Sequence, residues 1–258
     1  MNILLNTRFI VLSALLLGMG CERQILNPEP FDESQLDYFP LHPGHYVVYQ
    51  TDSMIYDPVS GGIKVDSTTT FVKELVADTL TDNAGNLLFT IEHYERKALN
   101  APWQLKFISS ASSSTGQAIL TEMNLRFLKM IFPMDSRSNW DGNLWIDKER
   151  EIEVAGERIR PFKNWDYSVD SIDVICQIGQ FTFDSTLVIT EADDNNVIER
   201  RFSRAWYAKH IGLVKKEQWI LDSQYCNQIP IPTDCTSIPW EQKAEKGYIL
   251  RQVVLEYN

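Results

Sequence analysis

The side chains with the greatest capacity for covalent chemistry in this sequence are four cysteines. Cys226 and Cys235 enclose an eight-residue loop, NQIPIPTD, and a bridge that closes so short a loop stabilises by about 2 to 3 kcal/mol on the chain-entropy model. Neither a CxxC pair nor a histidine pair accompanies them, as a zinc site would require. We therefore predict a disulfide between Cys226 and Cys235 rather than two free thiols. Cys176 alternates with Ile172, Val174 and Ile178 and is predicted to be a small buried hydrophobic residue.

Cys21 stands where an apolar run ends. Residues 2–8 carry one positive charge, residues 9–17 carry none, and Gly18-Met19-Gly20 precede the cysteine. This is the layout of a secretory signal, and so short an apolar stretch does not cross ~30 Å of hydrocarbon as a helix. The site resembles a bacterial lipobox, with Leu17 one place further upstream than usual. We predict that Cys21 carries a lipid anchor; the alternative is ordinary cleavage that leaves a free thiol.

Histidines and carboxylates are the candidates for metal binding and acid–base chemistry. His42 and His45 are three residues apart across a predicted turn, but only two other histidines could supply a third ligand, so no metal site is predicted. The sequence lacks HExxH, GxSxG, P-loop and GxGxxG motifs. The acidic stretch EADDNN at 191–196 is predicted to be a solvated hairpin turn rather than a calcium site. We predict no catalytic residue and no cofactor, although a carboxylate pair of the kind that hydrolyses glycans needs no sequence motif.

Seven tryptophans are many for a chain of 258 residues. Trp is well suited to filling a thin β-sheet core, and a row of tryptophans on an open face would instead stack on sugars or hold a lipid chain. We predict that most lie in the core. Trp165 and Trp240, which have polar neighbours, are predicted to be the most exposed.

The charge balance excludes one class of partner. The chain has 24 basic and 35 acidic residues, a net charge of −11, whereas nucleic-acid binding requires clustered Lys and Arg. Electrostatic docking on anionic lipid is disfavoured for the same reason. Membrane attachment would therefore depend on the acyl anchor at Cys21.

The hydrophobic pattern is mostly that of β-strands. HYVVYQTDSMIY, IKVDSTTTFVKELVADTL and LLFTIEHYERK are separated by turn signals and predict a meander of long antiparallel strands, and similar runs continue to the end of the chain. MNLRFLKMIF at 123–132 fits a short helix or a strand. We predict an all-β fold, a large curved antiparallel sheet closed or folded into a barrel-like or sandwich domain, with one or two short helices. The predicted organisation is a signal peptide (1–20), a flexible tether (21–38) and a single β-rich domain (39–258).

Three stretches together resemble a known group of proteins. FPLHPGHYVVYQTDS (39–53), FPMDSRSNWDGN (132–143) and WYAKHIGLVKKE (206–217) are similar, in this order, to motifs of uncharacterised cell-envelope lipoproteins of Bacteroidota-type bacteria. The sequence departs from that pattern at Val48, where a Trp is expected. The resemblance implies a β-rich, exported, lipid-anchored envelope protein and implies no catalytic residues. Glu22, which follows the cysteine, is compatible with sorting to the outer membrane.

The leading functional hypothesis is a non-enzymatic, lipid-anchored outer-membrane protein that serves as a binding or assembly module. Its partner would be an envelope protein, a glycan or a hydrophobic ligand. One alternative is a carrier that keeps a hydrophobic ligand in a barrel-like cavity, which requires an apolar cavity of a few hundred Å³. A further alternative is a glycan hydrolase, which requires a cleft with two close carboxylates, one of them with a raised pKa.

Overall fold

A computed structural model describes residues 32–258, and fourteen strands account for most of them. Two 3₁₀-helices, Glu33–Tyr38 and Tyr225–Asn227, and one short α-helix, α1 (Trp240–Lys243), complete the regular structure. The strands are β1 (Tyr46–Val59), β2 (Gly62–Thr81), β3 (Leu87–Arg96), β4 (Gln104–Ser113), β5 (Gln117–Glu122), β6 (Leu125–Ile131), β7 (Asn139–Trp140), β8 (Ile152–Val154), β9 (Glu157–Ile159), β10 (Tyr167–Ile178), β11 (Phe181–Asn195), β12 (Glu199–Ala208), β13 (Gly212–Asp222) and β14 (Lys246–Tyr257).

Twelve of the strands form one antiparallel sheet in the order β6-β5-β4-β3-β2-β1-β14-β13-β12-β11-β10-β7, and β8 pairs separately with β9. Almost every neighbouring pair is consecutive in the chain, which is the meander expected from alternating strands and short turns. Pairing of β1 with β14 joins the two halves of the sheet. The predicted all-β, curved and mainly antiparallel fold is confirmed, in the barrel-like rather than the sandwich form.

The two edges of the sheet meet at a seam between β6 and β7. The backbone N–H of Leu128 donates to the carbonyl of Gly142 at 2.8 Å, and Trp140 Nε1 donates to the Leu128 carbonyl at 2.9 Å. Gly142 is required here because a Cβ at this position would overlap the ring of Tyr167. These bonds satisfy backbone groups that an open edge would leave unpaired.

Local sequence explains how individual strands begin. Gly212 starts β13 with φ +88°, a conformation that glycine adopts without steric cost. Gly44 has φ +93° in the turn before β1. In β1 both Val47 and Tyr49 are buried and pack in one hydrophobic cluster with Val214. The core is thus built from alternating residues of strands that are distant in sequence.

The N-terminal boundary of the domain differs from the sequence prediction. Residues 32–38, which we assigned to the tether, begin the folded unit, and its first 3₁₀-helix ends at the fully buried Tyr38. The Tyr38 hydroxyl donates to Asp173 Oδ1 at 2.8 Å, and His210 N donates to the carbonyl of Asp37 at 2.7 Å. The polar composition of this stretch predicts a tether, but Tyr38 and the backbone hydrogen bond to Asp37 attach the stretch to the folded domain.

Two other local predictions are decided by the sheet. The ambiguous segment 123–132 contains strand β6, because β5 and the seam pair with it. The stretch 191–196 is not a solvated turn throughout: β11 runs to Asn195, and Glu191 is fully buried. Among the described residues, no helix is both long and apolar enough to span a membrane.

Candidate functional site

A cavity of about 330 Å³ lies within the barrel, and we call it the chamber. Its walls come from both halves of the sheet. Ionisable side chains that line it are Glu74 of β2, His93, Tyr94 and Glu95 of β3, Lys106 of β4, Glu122 of β5, Lys129 of β6, Tyr207 of β12 and Lys216 of β13. Leu120, Leu213 and Leu250 are among its apolar residues. A cavity of this size with convergent polar groups has the form of a small-molecule site.

Strand register brings the polar groups of the chamber together. Glu74 lies opposite His93 in the β2–β3 pair, and His93 lies opposite Phe107 in the β3–β4 pair. The rings of His93 and Phe107 stack with centroids 4.2 Å apart. Because side chains alternate between the two faces of a strand, this register places the three side chains next to each other.

A buried ion cluster stands beside the chamber. Lys129 Nζ donates to Glu191 Oε1, Ser203 Oγ donates to Glu191 Oε2 at 2.7 Å, and Lys216 Nζ lies 3.4 Å from Glu191 Oε2. Burial opposes ionisation of Glu191, but the two lysines and the hydrogen bonds outweigh it and hold the pKa of Glu191 well below its usual range. The cluster therefore contains a permanent carboxylate, and it connects β6 to β11 next to the seam.

Glu74 and Glu122 have a different environment. Burial raises the pKa of Glu74 from 4.5 to about 7, although the charges of Lys216 and Lys129 and a hydrogen bond with Tyr49 act in the opposite direction. Burial is also the main cause of the raised pKa of Glu122, and the charge of Glu74 adds to it. Both carboxyl groups thus face the chamber without the compensation that Glu191 receives.

His93 is the nearest basic group to Glu74. Its Nδ1 lies 3.6 Å from Glu74 Oε1, and its Nε2 is within 2.8 Å of Ser109 Oγ. Burial lowers the pKa of His93, while Glu122 partly opposes that effect. At neutral pH the imidazole is therefore predominantly uncharged and does not neutralise Glu74.

An apolar recess of about 90 Å³ adjoins the chamber and shares Phe39, Glu74, Leu120, Tyr207 and Leu213 with it. Its other residues include Leu41, Val76, Ile91 and Ile211, where the chain enters the barrel after the first 3₁₀-helix. His45 also lines the recess and is 4% exposed. Its Nε2 donates to the Ile211 carbonyl at 3.0 Å, whereas its Nδ1 has no hydrogen-bond partner among the described residues.

A larger depression, of about 620 Å³, lies near the β2–β3 and β4–β5 turns. Serines and other small side chains dominate its lining, and Asp82 and Arg126 are its ionisable residues. Local hydrogen bonds lower the pKa of Asp82, and the side-chain hydrogen bond from Asn86 has the largest effect. Such bonds are usual for a carboxylate in a turn. We therefore take the chamber as the candidate site.

Cys226 and Cys235, the predicted site residues that the structure describes, do not line the chamber. Cys21 lies outside the described residues, so its predicted lipidation stays a prediction. Cys226 and Cys235 form a disulfide, as the sequence analysis expects. Cys176 is a free, half-buried thiol that packs against the hydrophobic cluster containing Ile178, so it lies on the predicted face but is not fully buried. The rings of His42 and His45 are 4.9 Å apart, and no group of three or more potential metal-binding side chains occurs between residues 32 and 258.

The prediction about the exposed tryptophans is wrong. Trp165 and Trp240 are 5% and 8% exposed, because Trp165 packs on Phe162 and Tyr167 and Trp240 packs on Leu221. Trp145 is instead 45% exposed, with the guanidinium of Arg126 4.2 Å from its ring centroid. Polar neighbours in sequence did not predict exposure: Asn164 and Glu241 are exposed, whereas the tryptophans beside them are buried.

Sequence reasoning missed the carboxylates and lysines of the chamber. A usable signal exists: Glu74, Lys129 and Glu191 each interrupt an apolar run, in FVKELV, RFLKMIF and LVITEA. A charged residue at such a position is rarely buried without a partner. The partners themselves lie on distant strands, and the sequence does not indicate them.

Comparisons with known proteins give distant similarities in structure alone. No protein-family model and no curated protein sequence matches the chain. A protein from Bacteroides fragilis NCTC 9343, named as exported and with a YmcC-like fold, is 10% identical; the match covers 85% of this chain and 98% of that one, with a TM-score of 0.42. A protein from Parabacteroides distasonis ATCC 8503, named as a lipoprotein, is 13% identical over 86% of this chain and 98% of that one, with a TM-score of 0.36.

Proposed function

We propose that this chain is an exported, lipid-anchored protein of the outer membrane that binds a small ligand inside its barrel and does not catalyse a reaction. The observation that supports binding is the chamber, where two carboxyl groups with raised pKa values line a cavity beside an apolar recess. Ionisable groups with perturbed pKa values cluster at functional sites. The signal layout before Cys21 supports export and anchoring.

A wholly hydrophobic ligand fits this site less well. The apolar recess has a volume of about 90 Å³, well below the few hundred Å³ of a typical ligand pocket. The larger chamber is lined with ionisable groups. Both parts together favour a ligand that has a polar and an apolar end.

Glycan hydrolysis is also less consistent with the site. It requires one carboxyl group that is protonated and another that stays ionised on either side of the bond to be broken. In the chamber, both Glu74 and Glu122 have raised pKa values. The strongly acidic Glu191 is bonded to Lys129 and Ser203 and has a side chain only 1% exposed, so it is not available to a substrate.

The binding function is tested by blocking the chamber. Leu120→Trp places a large ring where the chamber and the recess meet. Native mass spectrometry of protein purified from envelopes should show a bound small molecule on the wild type and none on the folded Leu120→Trp protein. Wild-type protein that carries no small molecule, or the same occupancy in both proteins, would contradict the proposal.

The anchor is tested separately. Cells that express the wild type or Cys21→Ala are fed a clickable fatty acid, and the label on the purified protein is measured. Label on the wild type alone, with the variant released from the membrane fraction, is expected. Equal label on both proteins would remove the lipid anchor from the proposal.

A further inference from the structure

We infer that the ligand of the chamber carries a protonated amino group, which Glu74 and Glu122 bind, and a small apolar substituent, which the recess receives. This inference rests on the proposed binding function and specifies the chemistry of the ligand. It follows from the charges that the chamber leaves unpaired, from the shape of the adjoining recess and from one orphaned polar atom there.

The lysines of the chamber are already engaged. Lys129 bonds to Glu191, and Lys216 lies 3.4 Å from the same carboxylate. Lys106 Nζ lies 3.4 Å from Glu95 Oε1. Each of these ammonium groups therefore contacts a carboxylate other than Glu74 or Glu122. An anionic ligand would have to displace one of these existing contacts.

The carboxyl groups of Glu74 and Glu122 are not engaged in this way. Within residues 32–258, the only basic side chain at ion-pair distance from Glu74 is His93, and none lies at that distance from Glu122. Glu74 keeps 30% of its side-chain surface accessible while it lines the chamber. A ligand ammonium group between the two carboxylates would supply the missing counter-charge and form charge-assisted hydrogen bonds.

The surroundings favour an organic cation over a metal ion. Calcium takes six to eight oxygen ligands, and the described chain offers no cluster of three metal-binding side chains. The stacked His93–Phe107 pair and the rings of Tyr94 and Tyr207 provide apolar and π surface in the same cavity. Such surfaces stabilise ammonium groups and the carbon atoms attached to them.

The recess provides a second, independent indication of a ligand. It is continuous with the chamber through Leu120 and Tyr207. The Nε2 of His45 donates to the Ile211 carbonyl, and the Nδ1 of the same ring is buried without a hydrogen-bond partner among the described residues. A buried polar atom without a partner costs stability, and a polar group beside the apolar substituent of the ligand would satisfy it.

Benzylamine is a probe of the inferred chemistry, with benzyl alcohol and benzoate as neutral and anionic probes of similar shape. Binding to the full folded protein is measured by isothermal titration calorimetry at about pH 8, where Glu74 is mainly ionised. The variants are Glu74→Gln and Glu122→Gln. Glu256→Gln is the control, because Glu256 is exposed and bonds to Tyr46 outside the chamber. Circular dichroism checks that each variant is folded.

We expect benzylamine to bind the wild type and Glu256→Gln equally, and to bind Glu74→Gln and Glu122→Gln at least about tenfold more weakly, because each loses one partner of a buried ion pair. Binding of benzylamine should also weaken between about pH 8 and pH 5. The titratable and charged groups that act on Glu74 or lie beside it are Tyr49, His93, Glu122, Lys129 and Lys216.

Benzoate or benzyl alcohol binding as well as benzylamine, or undiminished benzylamine binding to both glutamine variants, would overturn the inference. In either case the chamber could still be occupied in envelope-purified protein, so the proposed binding function would survive. Competition by vesicles distinguishes two sources of the amine. Loss of benzylamine binding with phosphatidylethanolamine–phosphatidylcholine vesicles, but not with phosphatidylcholine alone, supports a lipid headgroup; persistence of binding with both supports a free amine.

Discussion

Replacing Glu74 by Gln should make the ligand-free protein more stable at alkaline pH. The pKa of this carboxyl group is raised from 4.5 to about 7, mainly by burial. Because the folded-state pKa lies above the unfolded value, the folded protein holds the proton more tightly. The ionised group therefore destabilises the fold fully above about pH 7 and not at all below about pH 4.5.

The size of the effect follows from the same values. A pKa displaced from 4.5 to about 7 corresponds to about 3 kcal/mol, because one pKa unit is worth about 1.4 kcal/mol. Since 30% of the Glu74 side chain is accessible, water screens part of this cost. We expect Glu74→Gln to raise the free energy of unfolding by about 1 to 2 kcal/mol at pH 8 and by less than about 0.5 kcal/mol at pH 4.

Urea unfolding at both pH values measures the difference directly, provided that the dependence on urea concentration is the same in both proteins. Glu256→Gln, an exposed substitution, should change the free energy of unfolding by less than about 0.5 kcal/mol at either pH. A Glu74→Gln protein that is less stable than the wild type at pH 8, or equally stabilised at both pH values, would refute the reasoning.

Three further predictions concern the stability of the folded domain. Glu191→Gln should lower the free energy of unfolding, measured with urea at pH 7, by about 3 to 5 kcal/mol, because it leaves Lys129 buried without its partner. Since the pKa of Glu191 is lowered in the folded protein, this loss of stability should shrink as the pH falls from about 4.5 through the folded pKa. A loss of stability that does not depend on pH would contradict the ion-pair explanation. The double variant Cys226→Ser, Cys235→Ser should lower the free energy of unfolding by about 3 kcal/mol. Wild-type protein treated with reductant should be as unstable as this variant. Equal stability of the variant and the untreated wild type would mean that the disulfide-closed loop does not stabilise the fold. Gly247→Ala should lower the free energy of unfolding by more than about 2 kcal/mol, because Gly247 has φ +111° and an added Cβ would overlap the Ile220 carbonyl. Gly116→Ala is the control and should be nearly neutral, because the space around Gly116 is open. Similar melting temperatures for the two variants would contradict this prediction.

The uncompensated charges of the chamber have a stability cost that a purely structural barrel would have little reason to retain. Apolar residues at positions 74 and 122 would fill the cavity and remove the cost. Glu191, in contrast, is fully satisfied by Lys129, Lys216 and Ser203. Glu191 therefore belongs to a structural cluster, whereas Glu74 and Glu122 belong to the candidate binding site.

Local patterns were sufficient to predict the type of fold. The alternation in β1 to β3 and the turn residues between them predict long antiparallel strands, and the structure has them. The same patterns were insufficient for Trp165 and Trp240, because their burial depends on the side chains that they pack on, such as Phe162 and Leu221. They were also insufficient for residues 32–38, where Tyr38 reaches Asp173, a residue far along the chain.

The sequence by itself determined what depends on neighbours in the chain: strands and turns, the short Cys226–Cys235 loop and the predicted signal that ends at Cys21. Only the tertiary structure decided how the sheet closes, because Leu128 and Gly142 must meet at the seam from opposite edges. It also decided which charges share the chamber. Glu74, Glu122 and Lys216 lie on three strands, and no local rule relates them. The physical reason is that burial and electrostatic interaction depend on distance in space, which only the closed barrel fixes.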